Sequence, residues 1–199
     1  DSLVDALSQH LKRLPSGEAA ALLPRGVQAL ARLFPVLDQV PSIREIPPEA
    51  GEPEPQALRR RAFAALGEIL RRMAERGPVV LIIDDIHWGD LDSAILLSDL
   101  LRGPEPPRIM LALSCRSDEA RDSPVMRELI PELVETATIL QDVELRPLAA
   151  PEARGLARKL LGEGGAGVGE RAAWIASESG GSPFFVQELA QYSRLSGAG

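Results

Sequence analysis

The chain has 199 residues, enough for one domain with a small satellite, and 45% of them are apolar. Aromatic residues are only 4%, so the core must be built from Leu, Ile, Val and Ala. A net charge of −7 argues against a nucleic-acid surface, which needs clustered Lys and Arg.

The opening "DSLVDALSQHLKRL" places Leu3, Val4, Leu7, Leu11 and Leu14 at helical spacing, with Pro15 as the stop. It already reads as a helix and has no initiating Met, so the chain is expected to be a piece of something longer. A second helical stretch is expected over 26–37. The Pro- and Glu-rich segment at about 41–56 has no periodicity and reads as a surface loop. From Gln56 to Arg76 an amphipathic helix is expected, with Leu58, Ala62, Phe63, Leu66, Ile69, Leu70 and Met73 as its stripe. Arg59–Arg61 lies on that helix and reads as a solvated face.

"VVLII", 79–83, is a continuous aliphatic run of the kind that forms a strand buried on both faces. "DSAILLSDLLRG" then reads as a helix capped by Asp90 or Asp92 and stopped at Gly103-Pro104. "RIMLALSCR", 108–116, is a second buried strand, and Cys115 within it reads as a small buried apolar group. This lone cysteine cannot form an internal disulfide and suits a reducing cytosol. "SPVMRELIPELVE" is largely helical, and "TATILQDVEL", 136–145, reads as a third strand. Three helical segments follow: "APEARGLARKLLG", "VGERAAWIASESGG" and "PFFVQELAQYSRL". The organisation expected is α/β over 1–145 and a small helical subdomain over 146–199. No apolar run approaches the ~18 residues of a membrane span, and no secretory leader opens the chain.

The chemistry concentrates where "VVLII" ends. Open parallel sheets bind ligands at the carboxyl ends of their strands. Asp84 and Asp85 stand there side by side and repel each other unless a cation or donor set compensates. A hard cation with oxygen ligands, such as Mg²⁺, meets that need. An apolar strand ending in acids has the form of a Walker B element, in which one acid holds Mg²⁺ and the next acts on the attacking water. The plainer alternative, two aspartates capping the next helix, is the less favoured. Other candidates are weaker. His10 and His87 are too few and too far apart for zinc. Trp88 reads as packing at the start of the next helix, and Asp118 with Glu119 as an exposed turn. "DLDSAI" lacks the glycine and distal Glu of a calcium loop. Gly162, Gly164 and Gly167 satisfy G-x-G-x-x-G but follow a helical pattern, so they read as a loop between helices.

"VLIIDDIHWGD" resembles the Walker B segment of the STAND class of AAA-like signalling ATPases, found in large LuxR-type regulators and multidomain bacterial kinases and cyclases. "ALARLFPVLDQVP" is similar to the region before that strand. "LALSCRSDE" resembles the sensor-1 strand, whose terminal Arg, here Arg116, reaches the terminal phosphate. "LRPLAAPEARGLARKLLG" resembles the start of the helical lid, and "ESGGSPFFVQELA" its GxP element, with Gly181, Ser182 and Pro183. The resemblance covers nearly the whole chain in order. It implies a parallel P-loop NTPase sheet (Walker B, sensor-1 and last strand) followed by an α-helical lid. It also implies ATP or ADP with Mg²⁺ at Asp84, water activation by Asp85, phosphate sensing by Arg116, and base contact by Pro183. Phe184 and Phe185 are expected in the lid core. Covalently linked effector domains, transcription regulation or signal transduction, and a cytoplasmic bacterial setting come with it.

One departure matters. No G-x-x-x-x-G-K-[ST] occurs in these residues, and that loop's amides and Lys grip the phosphates. In the resembled class it precedes the point where this chain begins, and its strand lies between the sensor and last strands. The expectation is therefore an incomplete sheet that by itself neither binds ATP measurably nor hydrolyses it well. Its exposed edges invite self-association. The competing expectation is a non-catalytic interaction or oligomerisation scaffold whose acids only cap a helix.

Overall fold

The computed structural model describes residues 2–47, 51, 54–103, 105–162 and 167–196. Contacts divide the chain into two compact units, 1–140 and 141–199.

The first unit opens with α1 (Ser2–Arg13), α2 (Ser16–Leu22) and α3 (Val27–Leu33). The expected helix over 26–37 is split at Phe34, beyond which Pro35–Gln39 forms a 3₁₀ turn. Proline at the first position of that turn ends the preceding helix, because the residue before a proline is pushed out of the helical region. The segment read as a loop from about residue 41 begins instead with a short helix, α4 (Pro41–Arg44), that buries Ile43. Residues 48–50, 52 and 53 of that loop lie outside the described residues.

The organising element is α5 (Pro55–Arg76). The Glu54 carboxylate accepts from the Gln56 and Ala57 amides at 3.2 and 3.0 Å, so two free N–H groups of the first turn are satisfied. The expected stripe is the buried face: Ala62, Phe63, Leu66, Ile69 and Leu70 are buried, and Leu58 and Met73 pack at its margin. Each of the larger side chains, Phe63, Leu66, Ile69 and Leu70, contributes about 1.5–3 kcal/mol when removed from water. α3 lies against α5, and β1 (Val79–Ile83) packs beside it.

β1 pairs in parallel with β2 (Ile109–Leu113), in a register running from Val79 opposite Ile109 to Ile83 opposite Leu113. The connection runs through α6 (Leu91–Arg102), and α7 (Pro124–Thr136) packs on α6. Val79, Leu81, Ile83 and Leu113 join the core. The opposite face is not covered among the described residues: Val80 is 51% exposed, Ile82 77% and Met110 63%. The expectation of strands buried on both faces is corrected, because helices cover one face of this sheet.

The third expected strand does not form. Residues 137–149 carry neither strand nor helix, and Ile139, Val143 and Leu145 are exposed. An apolar run supplies side chains but not the neighbouring N–H and C=O row a strand needs, and no strand lies beside it among the described residues.

The second unit contains α8 (Ala150–Leu161), α9 (Val168–Glu178) and α10 (Pro183–Ser196). Its small core is Ala153, Ala157, Ala172, Ile175, Val186 and Ala190. Phe184 and Phe185, expected in that core, are 64% and 55% exposed, stacked edge-on to each other. The helical period explains this: α10 buries Val186 and Ala190, four residues apart, and turns the pair outward. Of the glycine-rich loop read between the helices, residues 163–166 lie outside the described residues. Among the described residues no helix is long and apolar enough to cross a membrane.

Candidate functional site

The carboxyl ends of β1 and β2 are tied together beyond their strand pairing. The Ser114 amide donates to the Ile83 carbonyl at 3.0 Å, and the Ile86 amide donates to the Ser114 carbonyl at 3.0 Å. Between them the Ser114 hydroxyl accepts from the Asp85 amide at 3.0 Å and donates to the Asp84 carboxylate. One serine thus holds both acids of the pair. Asp84 is exposed, and the Asp85 side chain is 47% exposed.

Asp85 has φ 52° and ψ 43°, the left-handed region, and is the sole non-glycine with positive φ among the described residues. Asp tolerates this conformation better than most residues, at a cost of about 1 kcal/mol. It turns the chain sharply from β1 into a 3₁₀ turn over Ile86–Trp88. Asp85 therefore does not cap α6. Asp90 does, accepting from the Ser93 amide at 2.8 Å and the Ser93 hydroxyl at 2.7 Å. The Ser93 side-chain bond and then its backbone bond hold Asp90 below the usual carboxylate range.

Arg116 follows the end of β2 in an exposed position. Its guanidinium forks onto Asp118 (3.3 and 3.1 Å) and reaches Glu119 Oε1 at 3.0 Å. The hydrogen bond to Asp118, then the charges of Asp118 and Glu119, raise the Arg116 pKa, and the same bond lowers that of Asp118. Asp85 adds to the field on Arg116. The turn read as merely exposed is thus a carboxylate cradle for Arg116. Trp88, expected to pack, is 73% exposed and donates its indole N–H to Glu119 Oε2 at 3.0 Å. Cys115, expected to be buried, is exposed because β2 ends at Leu113, two residues earlier.

Asp84, Asp85 and Arg116 are therefore gathered at one end of one sheet. Gly181 and Pro183 belong to the second unit. Gly181 has φ 80° and accepts from the Leu148 amide at 2.8 Å, and Pro183 opens α10 in an exposed position. Sequence reasoning missed Ser114. Its signal was there: a lone hydroxyl directly after an apolar strand, at the register position that faces the acids.

Residues 1–113, more than half of the chain, match the model of the AAA ATPase domain family. The chain belongs to that family. Over 146 residues this AAA module is 29% identical to an uncharacterized protein of Rhizobium meliloti (strain 1021). That match covers 70% of the module and 12% of the relative, so the module spans about an eighth of the relative's length. No solved structure matches it.

Proposed function

We propose that this AAA module forms the magnesium-and-water half of an ATP site, acting as a regulatory switch within a larger signalling or transcription-regulating protein. The observation that carries the reading is the pair of adjacent acids at a parallel strand end, with Ser114 bonded to the Asp84 carboxylate and the Asp85 amide and Arg116 beyond the end of the neighbouring strand. The donor set fits Mg²⁺, a hard cation that keeps several waters and takes one or two carboxylates plus phosphate oxygens. Bound there, Mg²⁺ supplies charge neutralisation on the phosphates.

In this reading Asp84 holds the ion, mostly through water. Asp85 orients or deprotonates the attacking water. Arg116 exchanges its Asp118 and Glu119 partners for the terminal phosphate. The second unit corresponds to the lid of the resembled class, and Gly181 and Pro183 are the residues that its GxP element would offer to the base. ATP and ADP then bias two lid positions through different contacts, and the lid reports to covalently linked effector domains. A cytoplasmic bacterial setting and the STAND class fit this scheme. The phosphate-gripping G-x-x-x-x-G-K-[ST] is not among these residues, so the test belongs to the full-length protein. There Asp85→Asn should abolish ATP turnover while Mg·ATP binding survives. Unchanged turnover would remove Asp85 from the reaction.

A second reading, a non-catalytic association scaffold, is favoured by the exposed apolar face of Val80, Ile82 and Met110. It predicts that Asp84→Asn and Asp85→Asn leave the protein's output unchanged, while charges placed on that face abolish it.

A further inference from the structure

We infer that His87 is a positioning residue, whose buried imidazole sets the backbone at Arg116. The inference rests on the role given to Arg116 above and deepens it. His87 lies in the turn leaving β1, and its side chain is 1% exposed. The Arg116 amide donates to His87 Nδ1 at 3.4 Å. An amide can only donate, so Nδ1 must be the unprotonated nitrogen of a neutral ring, and the ring hydrogen sits on Nε2. Nε2 faces Glu119, with Oε2 at 3.1 Å, but without the alignment of a hydrogen bond.

The backbone of the same residue is fixed as well. The Ser123 hydroxyl donates to the His87 carbonyl at 3.0 Å within a buried pocket. Trp88, packed edge-on against the imidazole at 5.4 Å, donates its indole N–H to the same Glu119 oxygen, Oε2. Glu119 in turn takes the Arg116 guanidinium. His87 therefore bonds Arg116 at its amide, and its Nε2 lies against the same Glu119 that takes the guanidinium. A residue that merely filled this space would need no acceptor. A buried imidazole is a costly filler, because both ring nitrogens are taken from water and only Nδ1 regains a hydrogen bond. Its position follows from Asp85: the left-handed turn there swings residue 87 inward between β1 and the segment after β2. The acids and the arginine are thus linked through a side chain that contacts neither phosphate nor metal in the proposed site.

The experiment compares His87→Asn, His87→Leu and Arg116→Ala in the full-length protein. Asn offers an acceptor close to where Nδ1 stands, whereas Leu fills the volume without one. Hydrogen exchange of the peptide containing Arg116 is followed together with kcat and KM for ATP. The expected result for Leu is faster exchange at Arg116 by about tenfold or more, with kcat down by a similar factor and KM little changed. Asn should restore both. Unaltered exchange and kcat in the Leu variant, or failure of Asn to restore either, would overturn the inference. If Leu unfolds the protein, the Asn variant alone decides. Arg116→Ala separates the two ideas: turnover that survives it removes the functional reading, while the exchange data still decide what His87 does to the segment.

Discussion

Ser114 and Asp85 share a hydrogen bond from backbone amide to hydroxyl that extends the β1–β2 pairing past its last strand residue. Ser114→Ala removes that acceptor and the donor to Asp84 at once. The site is exposed, so the stability cost should be small, about 1 kcal/mol by chemical denaturation. The effect on ATP turnover in the full-length protein should be larger, a loss of about 30-fold, or roughly 2 kcal/mol, because the bond to Asp84 is made to a charged group. Unchanged turnover in the folded variant would mean Ser114 serves stability alone.

Asp85 tests the left-handed turn itself. Ala at this position keeps the strain and Gly relieves it, so Asp85→Gly should be more stable than Asp85→Ala by about 1 kcal/mol. That order is the reverse of the one expected in a helix or strand. Urea midpoints of the two variants decide it.

Gly181 and Gly180 offer a matched pair. Both have positive φ, 80° and 57°. A Cβ at Gly181 would overlap the Leu148 carbonyl oxygen and stand 3.1 Å from Pro147 Cβ, whereas nothing lies within 4 Å of one at Gly180. Gly180→Ala should therefore cost about 1 kcal/mol and Gly181→Ala about 2–3 kcal/mol, read as unfolding of the second unit. Equal costs would place the strain in φ alone.

Asp90 supplies the pH prediction. Its pKa is lowered in the folded chain, first by the Ser93 hydroxyl and then by the Ser93 amide. The stabilisation is therefore complete above the unfolded carboxylate value of about 4 and disappears as pH falls through the lower folded value. Asp90→Asn keeps a capping oxygen and should flatten this acid dependence, whereas Asp90→Ala should lose about 1 kcal/mol at neutral pH. Thermal unfolding from pH 6 to pH 2 measures both.

By contrast, the Arg59–Asp92 pair joins α5 to α6 with two 2.9 Å bonds, yet its side chains are 43% and 56% exposed. A double-mutant cycle should give a coupling below about 1 kcal/mol that shrinks in high salt.

What could be read from residues alone follows a physical line. The face of α5 was legible because Ala62, Leu66 and Ile69 repeat at the helical period. β1 was legible because an unbroken aliphatic run between Pro78 and Asp84 has few alternatives. The stretch 136–145 carried the same kind of run, and misled. Ile139 and Val143 report local preference, whereas strand formation depends on a neighbour elsewhere in space. The acids could be picked out by residue type and place, whereas Arg116 came from the resemblance to the sensor-1 strand. Ser114 left a mark, a lone hydroxyl directly after an apolar run, whereas His87 and Glu119 did not, because their part in the cluster depends on the turn at Asp85, and the left-handed φ of an Asp leaves no periodic mark. Trp88 and Phe184 were misassigned for a related reason: large apolar side chains usually pack, and these stand outside the core.

The pairing of Ile83 with Leu113 works as a ruler for everything beyond it. Successive strand residues point to opposite faces, so a slip of one place would carry Ser114 away from Asp84 and turn its hydroxyl to the other side of the sheet. The placing of Ser114 against the acids is thus inherited from strand alignment. Insertions between 103 and 107 leave that alignment intact and should be tolerated. A single-residue insertion or deletion within 109–113 should erase the site while leaving a folded, helix-rich protein behind.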